Sequence, residues 1–293
     1  MSRLSWVWAA LPWRSQGPGV AAMSRSPTAR IHPTALVAPQ AVLGEGVEIG
    51  AYAIIEGAVT LGAGCVVRPH ACLYGPITMG QGNSVFSGAV LGERPQHLKY
   101  NGEATDLVIG DGNIIREHVT IHRGTTQSMK TSIGNHNFFM VNCHVAHDCV
   151  IGDRCILTNG ALLAGHCTLG DGVIISGNSV VHQFSRLGRL SMLCGVSATS
   201  RDIPPFIMQQ GGDNVVGLNL IGMKRSGMTR EQIHALREAF RILYREGLIL
   251  PAAVAKLDKE FGQVDVIQEL IGFLRGCTKG INPMRGRIGQ EAA

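Results

Sequence analysis

Acidic residues are absent from the first 44 positions, where Arg3, Arg14, Arg25 and Arg30 stand unopposed until Glu45. The formal charge of +5 belongs mainly to this leader, since the remaining 22 basic and 21 acidic residues nearly cancel. Bulk charge therefore gives no footprint for nucleic acid, and none is expected as a partner. Aromatic residues make up only 5% of the chain. No run approaches the roughly 18 apolar residues of a membrane span, so no transmembrane segment is expected. No CxxC pair exists among the cysteines. A cysteine zinc site is therefore not predicted, and neither a metal nor a cofactor is called for. A cleavable secretory signal is not expected either, because Pro12 and Arg14 interrupt the apolar stretch LSWVWAALPW. Residues 1–22 read as a transit peptide or, as adopted here, as an over-extended start before Met23, expected to be disordered.

What the chain has in abundance is glycine, 38 residues, and a rhythm. An aliphatic residue or close substitute recurs every sixth position from Ile31 to Leu91, from Ile109 to Ile121 and from Ile133 to Leu193. All 25 positions in that frame are apolar; at the background hydrophobic content, chance gives on the order of 10⁻⁹ before frame choice. A period of six suits neither a helix nor an alternating strand. It suits a solenoid of short parallel strands, each closed by a tight turn. Gly134, Gly152, Gly170 and Gly188 recur every 18 residues, or three hexads. One coil therefore has three faces, which makes the fold mainly β: a parallel β-helix in the form of a triangular prism.

The fifth position of each hexad is small. Alanine or serine usually fills it, and Cys65, Cys143, Cys149, Cys155 and Cys167 stand there too. These cysteines read as compact apolar filler, not as a disulfide framework, and suit a reducing, cytoplasmic compartment. Two segments leave the rhythm, residues 92–108 and 124–132. Long excursions from a rigid repeat are usually functional or disordered; the first, which carries Lys99 and Tyr100, is read as functional. The prism is expected over 23–212 and a helical domain over 213–293. In the latter, Thr229 to Gln232 reads as a capping box, Pro251 as a helix start, and the tail after Lys279 as disordered or loosely packed.

Residues 18 apart stack at the spacing of paired strands, about 4.8 Å. His147, Gly165 and Gln183 thus form one column, with His166 and His182 beside it. A histidine can accept a proton from a hydroxyl group near pH 7. Gly165 lacks a side chain, so its N–H can approach a developing oxyanion. Asp148 could hold the His147 ring, although strand neighbours point opposite ways. On these residues alone the column is a candidate site.

The motifs TIHRGT (120–125), HVAHDC (144–149), LAGH (163–166), VHQF (181–184) and DIPPF (202–206) occur in this order on the hexad background. Together they resemble the hexapeptide-repeat family of acyl-[acyl-carrier-protein]–UDP-N-acetylglucosamine O-acyltransferases, which begin lipid A synthesis. The resemblance spans Ile31 to Met284. It implies a left-handed prism, a homotrimer with sites in clefts between adjacent prisms, and no metal. His147 would deprotonate the 3-hydroxyl of the GlcNAc ring for attack on a 3-hydroxyacyl carrier-protein thioester. Asp148 would support it, and the Gly165 N–H would receive the oxyanion. His97, Lys99, His144, His166, His182 and Gln183 would line the nucleotide-sugar and acyl site, with Asn219 and Arg225 on the UDP portion. Arg186, Arg189 and Arg201 could meet the acidic carrier protein or be solvated prism edges. Gly195 matches the acyl-chain ruler; its open position implies a chain of about 14 carbons, since such pockets discriminate by methylenes.

Two residues depart from the family pattern. His97 stands where aspartate is usual, and Ser226 follows Arg225 where a second basic residue is common. Both bear on the choice of nucleotide sugar, including GlcNAc against its 3-amino analogue. The residues by themselves leave three alternatives: a related N-acyltransferase, a zinc-dependent γ-type carbonic anhydrase, or a non-catalytic scaffold.

Overall fold

The computed structural model describes residues 25–284; the expected leader lies outside this range. Twenty-six short strands, most of two to four residues, wind into three parallel sheets, and a hairpin follows at the end. Away from the two excursions and the last coil, partners along each sheet are 18 residues apart, as Arg30 pairs with Glu48 and His144 with Leu162. The hexad aliphatics face inward. All but Ile31 and Val37 in the first coil are buried, and each contributes about 1.5–3 kcal/mol on full burial. Cys65, Cys143, Cys149, Cys155 and Cys167 are buried free thiols at the tight inward corners. Burial pushes the Cys155 thiol up to about 12, which makes a nucleophilic thiolate there unavailable. The result is a left-handed parallel β-helix followed by a C-terminal helical region.

Both excursions leave and rejoin the prism at the same edge. The pairing offset rises from 18 to 30 across the first and to 24 across the second. Each insertion is therefore a whole number of hexads, and the inward face keeps its phase. The excursions are shorter than expected. Strands run on to Glu93 and resume at Asp106, and the second segment rejoins at Lys130. Ladder pairing uses only the backbone, so polar residues such as Asp106 and Lys130 are carried into it.

The end of the prism also differs from expectation. Asn214–Leu218 pairs antiparallel with Ile207–Gln210 and extends the largest sheet, so helices begin only at Leu220. Four follow: α1 (Leu220–Arg225), α2 (Arg230–Tyr244), α3 (Leu250–Phe261) and α4 (Asp265–Arg275). The Thr229–Gln232 capping box opens α2, whose Ile233, Leu236, Phe240 and Leu243 are buried, and Pro251 stands in the first turn of α3. The segment after Lys279 is neither loose nor disordered as far as Met284. Ile281 bridges to Asp202, and Met284 bridges to Val215. Asn282 is fully buried and donates to Thr199 Oγ1 at 3.0 Å and Gln209 Oε1 at 3.1 Å. A solenoid must cover its last coil, and this segment helps to do so.

Candidate active site

His147 and Asp148 sit in the turn that follows strand His144–Val145, at the edge from which both excursions emerge. The concern that neighbours point apart applies to strands, not to this turn. Asp148 adopts a left-handed backbone (φ 62°), and its Oδ2 lies 2.7 Å from His147 Nδ1. The expected column is present: His166 N–H donates to the His147 carbonyl, and Phe184 N–H to that of Gly165. A Cβ on Gly165 would lie 2.6 Å from His147 Cε1 and 2.9 Å from Nε2. The imidazole thus occupies the space of the missing side chain. The Gly165 N–H makes no hydrogen bond among the described residues. The same holds at His147 and Gln183, so a free N–H is a property of this turn rather than of glycine.

A second column stands beside the first. Asp148, His166 and Phe184 all have left-handed backbones, and the His166 ring stacks on Phe184 with centroids 4.5 Å apart. His166 also meets the His147 ring edge-on at 5.2 Å, with Nε2 at 3.4 Å from Asp148 Oδ2. From the first excursion, His97 approaches His147 edge-on at 5.3 Å. His147, Asp148 and His166 offer ligand atoms within 4.8 Å of one another. However, Asp148 already accepts from Thr125 N–H (2.8 Å), Thr125 Oγ1 (2.7 Å), the Ser128 hydroxyl and His147. That donor set suits a carboxylate held by protons, not one presented to a cation. Burial alone would raise the Asp148 pKa. Hydrogen bonds from Ser128, Thr125 and His147 outweigh it and hold the carboxyl at about 2.

Other expected residues are distributed differently. His144 lies on the outer face of the sheet with Nδ1 2.7 Å from Thr120 Oγ1. Burial, then the nearby His147, lowers its pKa. His182 and Gln183 lie further up the edge, exposed. There Lys279 Nζ donates to the Gln183 carbonyl at 2.7 Å and lies 3.3 Å from His182 Nδ1. Lys99 is exposed in the first excursion. Gly195 lies on another edge of the prism, after strand Met192–Leu193; a Cβ there would meet nothing closer than 3.7 Å. Asn219 is buried and caps α1. Its Oδ1 accepts from Gly222 N–H and its Nδ2 donates to the Leu190 carbonyl, each at 2.9 Å. Each end of the carboxamide thus makes one bond within the protein, whereas Arg225, at the end of α1, is exposed. Arg186 and Arg189 are not solvated edges. Arg189 forms a two-pronged pair with Glu269 of α4, and Arg186 lies 4.2 Å over the Phe273 ring. Only Arg201 of the three remains exposed.

From sequence alone, His122, Thr125, Ser128, Phe184 and Lys279 carry no assigned role. His122 is 6% exposed and meets the His144 ring edge-on at 4.9 Å. Burial, then the His144 and His147 rings, pushes it down to about 4. The unfolded chain takes up this proton below about pH 6.5, while the folded state does so only near 4. Stability is therefore lost as pH falls through that window, by about 3 kcal/mol. Denaturant titrations of the protein and of His122→Gln from pH 7 to 4 should show a shallower loss in the variant. Parallel slopes would contradict the assignment.

The comparisons with known proteins bear on the fold and the family. Residues 40–75 and 130–165 match the family described as bacterial transferase hexapeptide (six repeats). Residues 202–282 match the one described as Udp N-acetylglucosamine O-acyltransferase, domain 2. The acyl-[acyl-carrier-protein]–UDP-N-acetylglucosamine O-acyltransferase of Thiobacillus denitrificans is 51% identical over 255 residues, covering 86% of this chain and 99% of the relative. That of Halorhodospira halophila is 47% identical, covering 86% and 98%. Among solved structures, the Campylobacter jejuni UDP-N-acetylglucosamine acyltransferase superposes with a TM-score of 0.82 at 34% identity, covering 87% of this chain and 100% of that one. The Moraxella catarrhalis enzyme gives 0.78 at 41% identity, covering 88% and 99%. With near-complete coverage of relatives around half identical, the chain belongs to the acyl-[acyl-carrier-protein]–UDP-N-acetylglucosamine O-acyltransferase family.

Proposed function

We infer that the protein moves a 3-hydroxyacyl chain from acyl carrier protein to the 3-hydroxyl of UDP-N-acetylglucosamine, the first step of lipid A synthesis. The observation that carries the chemical reading is the buried His147–Asp148 pair beneath Gly165. Asp148 accepts from Nδ1, which leaves Nε2 as the lone pair on His147. Nε2 takes the proton as the sugar oxygen attacks the thioester carbonyl carbon. The carbonyl electrons move to oxygen, and the resulting oxyanion is received by the Gly165 N–H. Collapse breaks the C–S bond, and the leaving thiolate recovers the proton from His147. Protons balance, and no oxidant or metal enters the step.

His97, Lys99, His144, His166, His182 and Gln183 are proposed to line the substrate cleft and Arg225 to meet phosphate, for which its planar charged fork is suited. Asn219 is proposed to act by setting α1 and so placing Arg225. Gly195 and His147 lie on different edges of one prism, a distribution that supports a homotrimer in which a neighbour's edge completes each cleft. A cytoplasmic enzyme fits the eight free thiols.

The direct test is to incubate UDP-N-acetylglucosamine with 3-hydroxyacyl carrier proteins of several lengths and identify the product by mass. The 3-O-acyl nucleotide sugar is expected. Transfer only to an amino acceptor would favour the N-acyltransferase alternative. A Gly195→Met variant should fold normally, because the site is open, and should shift preference to shorter chains. An unchanged length profile would remove Gly195 as the ruler.

A further inference from the structure

We propose that the second excursion is a clamp on the catalytic carboxylate, with Thr125, seconded by Ser128, acting as a positioning residue for the His147–Asp148 pair. The proposal rests on the reading of His147 as the base. Thr125 reaches both oxygens of Asp148, through its N–H to Oδ1 at 2.8 Å and its hydroxyl to Oδ2 at 2.7 Å. The hydroxyl oxygen also accepts from Gln127 N–H at 3.3 Å, so its single proton is aimed at the carboxylate. The Ser128 hydroxyl is in close contact with Oδ1 and lies 2.9 Å from the Lys130 carbonyl. Of these two acceptors the charged one wins the proton. The clamp is itself braced: Met129 N–H donates to the Thr125 carbonyl at 2.8 Å, and Gly124 N–H to that of Asp106 at 3.1 Å. From just beyond the excursion, Thr131 Oγ1 accepts the Asp148 N–H at 2.9 Å.

The consequence is a choice between two histidines. Oδ2 faces His147 Nδ1 at 2.7 Å and His166 Nε2 at 3.4 Å. A carboxylate free to rotate could serve either ring. Held at both oxygens, it serves His147 and fixes the tautomer that leaves Nε2 unprotonated. The other titratable groups around the pair are His97, against the His147 ring, His122 and His144 on the adjoining face, and the buried Cys149 thiol next to Asp148 in the chain. Among the described residues, no lysine or arginine pairs with Asp148. Donor hydrogen bonds rather than a cation therefore stabilise its charge.

The test compares Thr125→Val, Thr125→Ser, Ser128→Ala and His147→Gln in the full-length protein. Thr125→Val should lower kcat roughly 10- to 100-fold, the usual worth of an outer hydrogen-bond partner, with the KM for UDP-N-acetylglucosamine unchanged. The acid limb of its kcat/KM profile should move to higher pH, because a carboxylate relieved of a donor places more of its charge on His147. Thr125→Ser keeps the hydroxyl and should restore most of the rate. Ser128→Ala should shift both readouts in the same direction, but less, and equal melting temperatures would confirm intact folds. Wild-type turnover in Thr125→Val, or equal losses in the valine and serine variants with an unmoved acid limb, would overturn the clamp. If His147→Gln is inactive while Thr125→Val matches wild type, the clamp alone falls. If His147→Gln remains active, the base reading falls and the clamp with it.

Discussion

Replacing His147 with glutamine is expected to lower kcat by roughly 10²–10⁴-fold, the usual worth of a positioned general base. Glutamine is close in size and can still donate to Asp148, so the buried carboxylate is not left without its partner. What disappears is the Nε2 lone pair. The sugar hydroxyl must then attack with its proton in place, and turnover falls while nucleotide-sugar binding, made by other residues, changes little. Product formation followed by mass at saturating substrate measures the effect. A variant that turns over at the wild-type rate would move the base elsewhere, and His166 would be the next residue to examine, since it also approaches Asp148.

A single methyl group added one coil above should be almost as damaging. Gly165→Ala places a Cβ 2.6, 2.9 and 3.1 Å from Cε1, Nε2 and Nδ1 of His147. Densely packed surroundings do not absorb such contacts without movement, and the ring cannot retreat without breaking its 2.7 Å bond to Asp148. Displacement of the reacting atom by about an ångström costs on the order of 10²-fold in kcat. Alanine keeps the backbone N–H, so this loss would come from the position of the base rather than from removal of the oxyanion donor. Unaltered turnover, with the protein folded, would mean that the ring has slack. Gly195 supplies the contrast: its added methyl finds open space, and its replacement should alter which chain is transferred rather than whether transfer occurs.

These expectations differ in how much of them could be read from the sequence. The hexad required only that aliphatic residues recur in phase, and phase survives even where the chain leaves the prism, because each excursion has the length of whole hexads. Arithmetic on residue number was therefore enough to place His147 under Gly165 and Gln183. It was also enough to identify the cysteines as filler, since a small inward corner position admits little else. The same arithmetic failed for residues outside the rhythm. Thr125 and Ser128 belong to an excursion whose path no period describes. His122 was visible in a quoted motif, yet its burial depends on what packs over the sheet face. Arg186, Arg189 and Asn219 looked available for ligands. Each is in addition held by a partner from a distant part of the chain: Phe273, Glu269 and the Leu190 carbonyl.

The family relationship and the prism were thus determined by the sequence itself, because a period and an ordered set of motifs are properties of residue spacing. The state of the catalytic pair was decided only in three dimensions. Whether Asp148 meets His147 depends on a left-handed turn, and whether it stays ionised depends on donors about twenty positions earlier in the chain. Stacking of coils follows from periodicity. Hydrogen bonding across an excursion follows from where the backbone happens to return, and that is a tertiary fact.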